Sequence, residues 1–339
     1  MMRLMNYLLN TTEDYHVNNL NSLGWELTVC NALYPDSSPC RNVLLSKDSF
    51  GVQLYHFLEK LIPLHDVHNV LEVGGGLGYL MHDFLSLNPA LSATMLDISP
   101  YLLEKQKEIL SGFNVSFCPK DILKITANDL TCFDLVIMNE NLGDLPTLVS
   151  HPDKNTCTEK ESTHLQERVK YFKEKYQLSL PEDENINIGA MEVLDKFCQV
   201  QIKYIYLSEH SCESSIPAHL KPYLNFASPK NPEKIILKGH DEYTIKFSHL
   251  QKIAEFCNYK VVRGQFADFL PLDFNDKVKT ALRLETPFTA EQEIIQQFVY
   301  DLYKYEYMVI IKTDALVKSP IIVIPAHVGI QNMLKGENS

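Results

Sequence analysis

The chain has 339 residues, 45% hydrophobic and 22% charged, the values of an ordinary water-soluble protein with a substantial core. A net charge of -12 argues against broad phosphate neutralisation, so no nucleic-acid partner is expected. No apolar run reaches membrane-spanning length and the opening Met1-Met2-Arg3-Leu4-Met5-Asn6 lacks the apolar core of a signal peptide, so the expected address is cytoplasmic.

Eight cysteines stand at 30, 40, 118, 132, 157, 198, 212 and 257, and none forms a C-x-x-C pair. No metal site is therefore read from the spacing, and Cys118, Cys198 and Cys257, set in apolar stretches, read as buried thiols of a reducing compartment.

Residues 1–45 carry the least pattern: Leu20–Ala32 holds the single tryptophan, Trp25, and Tyr34–Pro39 is a loop. Apolar positions 50, 54, 57, 58 and 61 predict a helix ending near Pro63. Asn69–Val73, short and rich in β-branched residues, predicts a buried parallel strand. Gly74, Gly75, Gly76 and Gly78 follow, and Leu77, Leu80, Met81, Phe84 and Leu85 then recur at helical spacing up to Asn88-Pro89. Strand, glycine turn and helix let a backbone approach a nucleotide-like ligand closely. The dinucleotide fingerprint G-x-G-x-x-G fails here, because Tyr79 stands where its third glycine belongs, and a nicotinamide dehydrogenase is disfavoured. The run Glu72-x-Gly74-x-Gly76-x-Gly78 instead resembles the first motif of class I S-adenosylmethionine (SAM) methyltransferases. A carboxylate at the strand end suits a ligand that carries an ammonium and a sulfonium.

Ala93–Leu96 predicts the next strand, with Asp97 at its end, 19 positions beyond Gly78, where such folds place an acid for the ribose hydroxyls. Ser99-Pro100 supplies an N-cap and a first-turn proline, and Gly112 closes the helix. Val115–Cys118 is a third strand, followed by Asp121 and Ile122. In the SAM fold such a pair meets the adenine amino group and ring, while the residue reading leaves Asp121 equally an ordinary loop acid. Phe133–Met138 is the fourth strand and runs into Asn139-Glu140-Asn141-Leu142-Gly143-Asp144-Leu145-Pro146. Its carboxyl end should face the transferring methyl, with Glu140 able to orient an amine or cationic nucleophile and take its proton. Asp144 reads equally as a site acid or a solvated one.

Residues 150–200 interrupt the alternation with two amphipathic helices, one through Leu165, Val169, Phe172 and Tyr176, the other through Ala190–Cys198. This insertion is a lid, a partner surface or plain packing. Ile202–Leu207 is a fifth strand, leading into Ser208-Glu209-His210, where Glu209 and His210 are candidate base or supporting groups. Prolines at 217, 222, 229 and 232 make 214–240 an extended loop over the site. Ser248-x-x-Gln251 predicts a capping box for a helix at 248–258, Val261-Val262 opens a strand carrying Gly264–Leu270, and Tyr307–Ile311 gives the last strand. The tail Leu334–Ser339 reads as loose.

The expected architecture is an α/β Rossmann-like doubly wound sheet of seven strands with an antiparallel last strand, plus the helical insertion. Its parts would be a cap over 1–45, a SAM-binding half over 46–149, the insertion over 150–200 and a C-terminal half over 201–339. The acidic glycine motif, Ile98-Ser99-Pro100-x-Leu102 with Gln106, Asn139-Glu140 with Leu145-Pro146, Gly239–Thr244 and Gln265–Leu270 together are similar to MidA-type methyltransferases over about residues 50–310. Those proteins bind SAM and include a mitochondrial arginine methyltransferase acting on a respiratory complex I subunit. The resemblance implies SAM held by Glu72, the four glycines, Asp97, Ile98, Asp121, Ile122 and Asn139, with Glu140, Glu209 and His210 around the transfer point. Two departures stand out. The family's N-E-x-x-D-A-L-P has its acid moved by one position here, and Ser-Glu-His replaces its usual aspartate, tyrosine and glycine at the fifth strand. The acceptor, an arginine on a protein or a small molecule, stays open. So does the alternative of a SAM-binding assembly protein without chemistry.

Overall fold

A computed structural model describes residues 7–22, 28–150, 159–284 and 288–313. Trp25, Cys157 and the tail Leu334–Ser339 lie outside the described residues. The strands in chain order are β1 (Tyr7–Asn10), β2 (Asn69–Val73), β3 (Ser92–Leu96), β4 (Val115–Cys118), β5 (Leu135–Asn139), β6 (Thr147–Ser150), β7 (Tyr204–His210), β8 (Lys234–Ile236), β9 (Asp241–Tyr243), β10 (Tyr259–Gln265) and β11 (Tyr305–Lys312). The helices are α1 (Val29–Leu33), α2 (Phe50–Leu58), α3 (Tyr79–Leu87), α4 (Pro100–Ile109), α5 (Ala127–Leu130), α6 (Glu159–Tyr176), α7 (Ile188–Gln199), α8 (Phe247–Phe256), α9 (Asp276–Arg283) and α10 (Ala290–Lys304).

Seven strands form one sheet in the order β10-β11-β7-β5-β2-β3-β4, parallel from β7 to β4, with β11 antiparallel to both its neighbours. This is the expected doubly wound sheet with an antiparallel last strand. Successive side chains of a strand point to opposite faces. Val70, Ala93, Met95, Leu135 and Ile137 accordingly pack against α2 and α3 on one side, where α9 and α10 continue the layer. Leu71, Val73, Val136, Met138 and Ile205 pack against α6, α7 and α8 on the other. Because both faces are covered, the strands read as unbroken apolar runs rather than alternating ones. β1 pairs antiparallel with β6, and β8 with β9, as two small ribbons beside the main sheet.

Several local expectations hold. The Ser99 side chain accepts from the Leu102 N–H, and Pro100 occupies the first turn of α4. Others need correction. The fifth predicted strand is shifted toward its C-terminus: pairing of Glu209 with Glu306 and His210 with Tyr305 carries β7 through both residues, so they belong to the strand and not to a loop after it. The Ser248 capping box does not form. α8 starts at Phe247, and the Ser248 N–H is instead satisfied from a distance by the Glu213 carboxylate at 2.8 Å. The strand from Tyr259 stops at Gln265 and tightens into a 3-10 turn over Phe266–Asp268.

Candidate active site

The carboxyl ends of β2, β3, β5 and β7 open on one cavity of about 460 Å³, within the size range of small-molecule sites. Its floor is the glycine turn. Gly74 and Gly76 adopt the left-handed region at φ 60 and 54, and Gly78 at φ 87 is the residue before α3. At Gly76 an added Cβ would meet nothing within 4 Å, so this position faces open space. At Gly75 it would come 2.4 Å from Met95 Cε and 2.9 Å from Glu72 Cδ; the missing side chain is what leaves room for the glutamate beneath the turn. Gly74, Gly75 and Gly76 line the cavity; Gly78 does not, and its contribution is the backbone turn.

Glu72 is 1% exposed, and its Oε2 has no hydrogen-bond partner among the described residues. Burial, with the Asp97 charge adding to it, pushes this carboxyl up to about 8. A buried acid with an orphaned oxygen on a cavity wall is costly by itself and suited to a cation arriving in that cavity. Asp97 is better served: Oδ1 accepts the Ser99 N–H at 2.9 Å and Oδ2 accepts from Gln106 Nε2 at 2.9 Å. Burial nevertheless lifts it to about 6, the Ser99 and Gln106 bonds pulling the other way. Ile98 lines the cavity beside it. Asp121 accepts the Leu123 N–H at 2.8 Å and pairs with Lys124 at 3.3 Å, while Ile122, 3% exposed, adds an apolar wall.

The loop after β5 starts with a strained residue. Glu140 stands at φ 55, a region that non-glycine residues seldom occupy outside functional turns. Its carboxylate accepts the Val29 N–H at 2.7 Å and the Cys30 N–H at 3.0 Å, capping the short helix α1, and Asn139 Nδ2 donates to it at 3.0 Å. Burial pushes Glu140 up to about 7 against the pull of those two backbone donors. Asn139 is fixed in turn by the Ser208 hydroxyl at 2.9 Å. Glu209, 3% exposed, accepts the Gly143 N–H at 3.0 Å and so anchors the same loop. His210 stacks on Tyr305 with centroids 3.8 Å apart and contacts Asp301 at 3.3 Å. Burial would lower the His210 pKa, yet the Asp301 and Glu209 carboxylates together raise it. Asn139, Glu140, Glu209 and His210 all line the cavity.

Three features escaped residue-by-residue reading. Gln106, fully buried, also donates to the Gly76 carbonyl at 3.0 Å and so ties the glycine turn to Asp97; a glutamine on the inward face of α4 beside Leu102 and Leu103 is its signal. The Asn141 amide donates to the Val73 and Gly74 carbonyls, stitching the β5 loop to the same turn. Finally, His16, Asp144, His240 and Glu242 meet on the cavity wall, from positions too scattered for any spacing motif. Tyr79, which broke the dinucleotide pattern, stacks face to face on Tyr34 at 3.5 Å.

The family model described as a methyltransferase domain matches residues 70–166, from β2 into α6. No curated protein matches the sequence. Among solved structures, an uncharacterized ACR superfamily protein from Burkholderia thailandensis superposes with a TM-score of 0.51 at 12% identity, covering 92% of this chain and 90% of that one. The plantazolicin methyltransferase BpumL in complex with SAH gives 0.39 at 10% identity, covering 77% and 82% of the two chains. The glycopeptide N-methyltransferase MtfA complexed with SAM gives 0.40 at 11%, covering 77% and 93%. Residues 70–166 thus match a methyltransferase domain, and the sheet order around them is the Rossmann-like one expected of that fold.

Proposed function

We propose that the 460 Å³ cavity holds SAM with its cationic end against Glu72, its ribose on Asp97 and its adenine between Asp121 and Ile122. The observation that carries this reading is the unpartnered Oε2 of buried Glu72 under the glycine turn, with open space above Gly76. SAM supplies an electrophilic methyl group on a sulfonium. What this chain adds is position. Asn139 and Glu140, at the carboxyl end of β5, flank the approach, and an oriented nucleophile gains more from alignment than from any single proton transfer. The nucleophile's lone pair forms the new C–N or C–O bond as the C–S bond breaks, and Glu140 takes the proton released from the nucleophile. A carboxyl poised at about 7 by burial is matched to that task at neutral pH.

The MidA-type resemblance makes an arginine of a protein one acceptor, since a carboxylate binds a guanidinium bidentately. In the described arrangement the Val29 and Cys30 amides already occupy both oxygens of Glu140. A guanidinium must displace α1 before it can pair there, which makes residues 28–33 the gate of the acceptor side. The same occupancy favours a second reading, a SAM-binding assembly protein in which Glu140 serves only to cap α1.

Three outcomes check these statements. Calorimetric titration should show SAM and S-adenosylhomocysteine binding and NAD not binding, with Asp97→Ala weakening both sulfur ligands at least tenfold, about 1.4 kcal/mol. Binding of NAD without SAM would contradict the cofactor assignment. With an acceptor found by screening arginine peptides and small amines, Glu140→Gln should lower kcat by roughly 10²–10⁴, the usual worth of a general base, with unchanged SAM affinity. Turnover equal to wild type would remove Glu140 from catalysis. The third concerns stability without ligand. Glu72 rises from an ordinary 4.5 to about 8 on folding, so the folded chain holds the extra proton. Its contribution is present below about pH 4.5 and lost as pH climbs to about 8. Urea unfolding should show Glu72→Gln gaining on wild type across that window, and parallel profiles would place Glu72 in contact with water.

A further inference from the structure

Four side chains from three separate stretches converge on the cavity wall. His16 follows β1, Asp144 lies in the loop after β5, and His240 and Glu242 belong to the turn and strand of the β8–β9 ribbon. His16 Nε2 is 2.8 Å from Asp144 Oδ1, His240 Nε2 is 3.6 Å from the same oxygen, and Glu242 Oε1 is 2.9 Å from His240 Nε2. Ligand atoms of His16, Asp144 and His240 all lie within 4.8 Å of one another. First-row metals bind imidazole and carboxylate at about 2.0–2.2 Å, which sets neighbouring ligand atoms roughly 3–3.5 Å apart. Both imidazoles stand close to that spacing from the Asp144 oxygen, at 2.8 and 3.6 Å.

The supporting contacts hold the donors in place. The His240 ring stacks on Tyr15 at 4.1 Å and 20°. Gly239, at φ 104, permits this approach, since a Cβ there would fall 2.6 Å from Tyr15 Cε2. The Thr12 hydroxyl donates to the Asp144 carbonyl at 2.9 Å, fixing the acid's backbone against the segment that carries His16.

We propose that His16, Asp144 and His240, joined by Glu242, bind a divalent first-row transition cation at the edge of the cofactor cavity. Two imidazoles with one or two carboxylates suit zinc, manganese, iron or cobalt rather than magnesium or calcium. Three or four protein ligands leave a coordination position for a donor atom from the cavity. The acceptor would then be a molecule with a metal-binding oxygen or nitrogen, polarised by the ion. That role rests on the methyltransferase reading; the binding of the ion does not. The ion would also tie the His16 segment to the loop after β5.

The experiment uses the full chain, stripped with chelator and titrated with cobalt(II) and zinc(II). One equivalent should bind with micromolar or tighter affinity and give visible cobalt bands of nitrogen and oxygen ligation. Asp144→Asn and His240→Ala should each weaken binding at least tenfold, while Cys132→Ser, an exposed thiol elsewhere, leaves it unchanged. Absence of stoichiometric binding, equal binding in both site variants, or an intense near-ultraviolet thiolate band would overturn the proposal. The cobalt spectrum of wild type decides the matter even where a variant folds poorly. SAM titration of the same apo preparation reads the methyltransferase assignment separately, so failure of one cannot be mistaken for failure of the other.

Discussion

A carboxyl group buried under a glycine turn with one oxygen unpartnered is the constraint on which the rest of this molecule depends. Glu72 sits on β2, an interior strand of the sheet with parallel neighbours on both sides, and is 1% exposed. An isolated buried acid costs several kcal/mol in its charged form and therefore stays protonated, unless a cation is brought to it. The surroundings preserve that tension. Gly75 has no Cβ to displace the carboxyl, Gln106 holds the Gly76 carbonyl, and Asn141 holds the Val73 and Gly74 carbonyls. Each of these contacts fixes backbone and leaves the Glu72 oxygen alone. The protein has spent stability on a charge-seeking site, as ligand sites commonly do.

The opposite wall is built from distant sequence. Strand β1 adds to β6, Thr12 and His16 reach Asp144, and α1 places two amides on Glu140. The described N-terminal residues thus touch both Glu140 and the histidine–carboxylate cluster. Any acceptor that needs Glu140 meets them first. The chemistry on this side and the placement of the N-terminal segment are a single problem in energy, because Glu140 cannot serve α1 and a guanidinium at once.

Much of the sheet was legible because its rules are local. Short β-branched runs bounded by glycine, proline or a strand-end acid marked β2, β3, β4 and β5, and the Ser99-Pro100 cap marked α4. The glycine turn was legible because a close backbone approach demands those residues. What was not legible came from pairing between distant strands and from scattered side chains. Tyr305 opposite His210 extends β7 beyond its apolar run, and no pattern within 202–207 announces that partner. Glu213 takes the Ser248 N–H that the Gln251 side chain would accept in a capping box, an acid 35 residues away winning over a local amide. The α10 helix carries a local signal of its own, the Thr289–Gln292 capping box. The meeting of His16 and His240 with Asp144 had none: a histidine separated from its partner by 128 residues becomes a candidate only when the fold brings the pair to 2.8 Å.

The most direct test of the account is the proton balance of SAM binding. If the cationic end of SAM lies against a Glu72 carboxyl held at about 8, binding near pH 7 must drive a proton off it. Calorimetry in buffers of different ionisation enthalpy reads this as the slope of the binding enthalpy. The account predicts release of a large fraction of one proton per SAM in wild type and its loss in Glu72→Gln. Tight binding with no proton released, or the same release in both proteins, would contradict it.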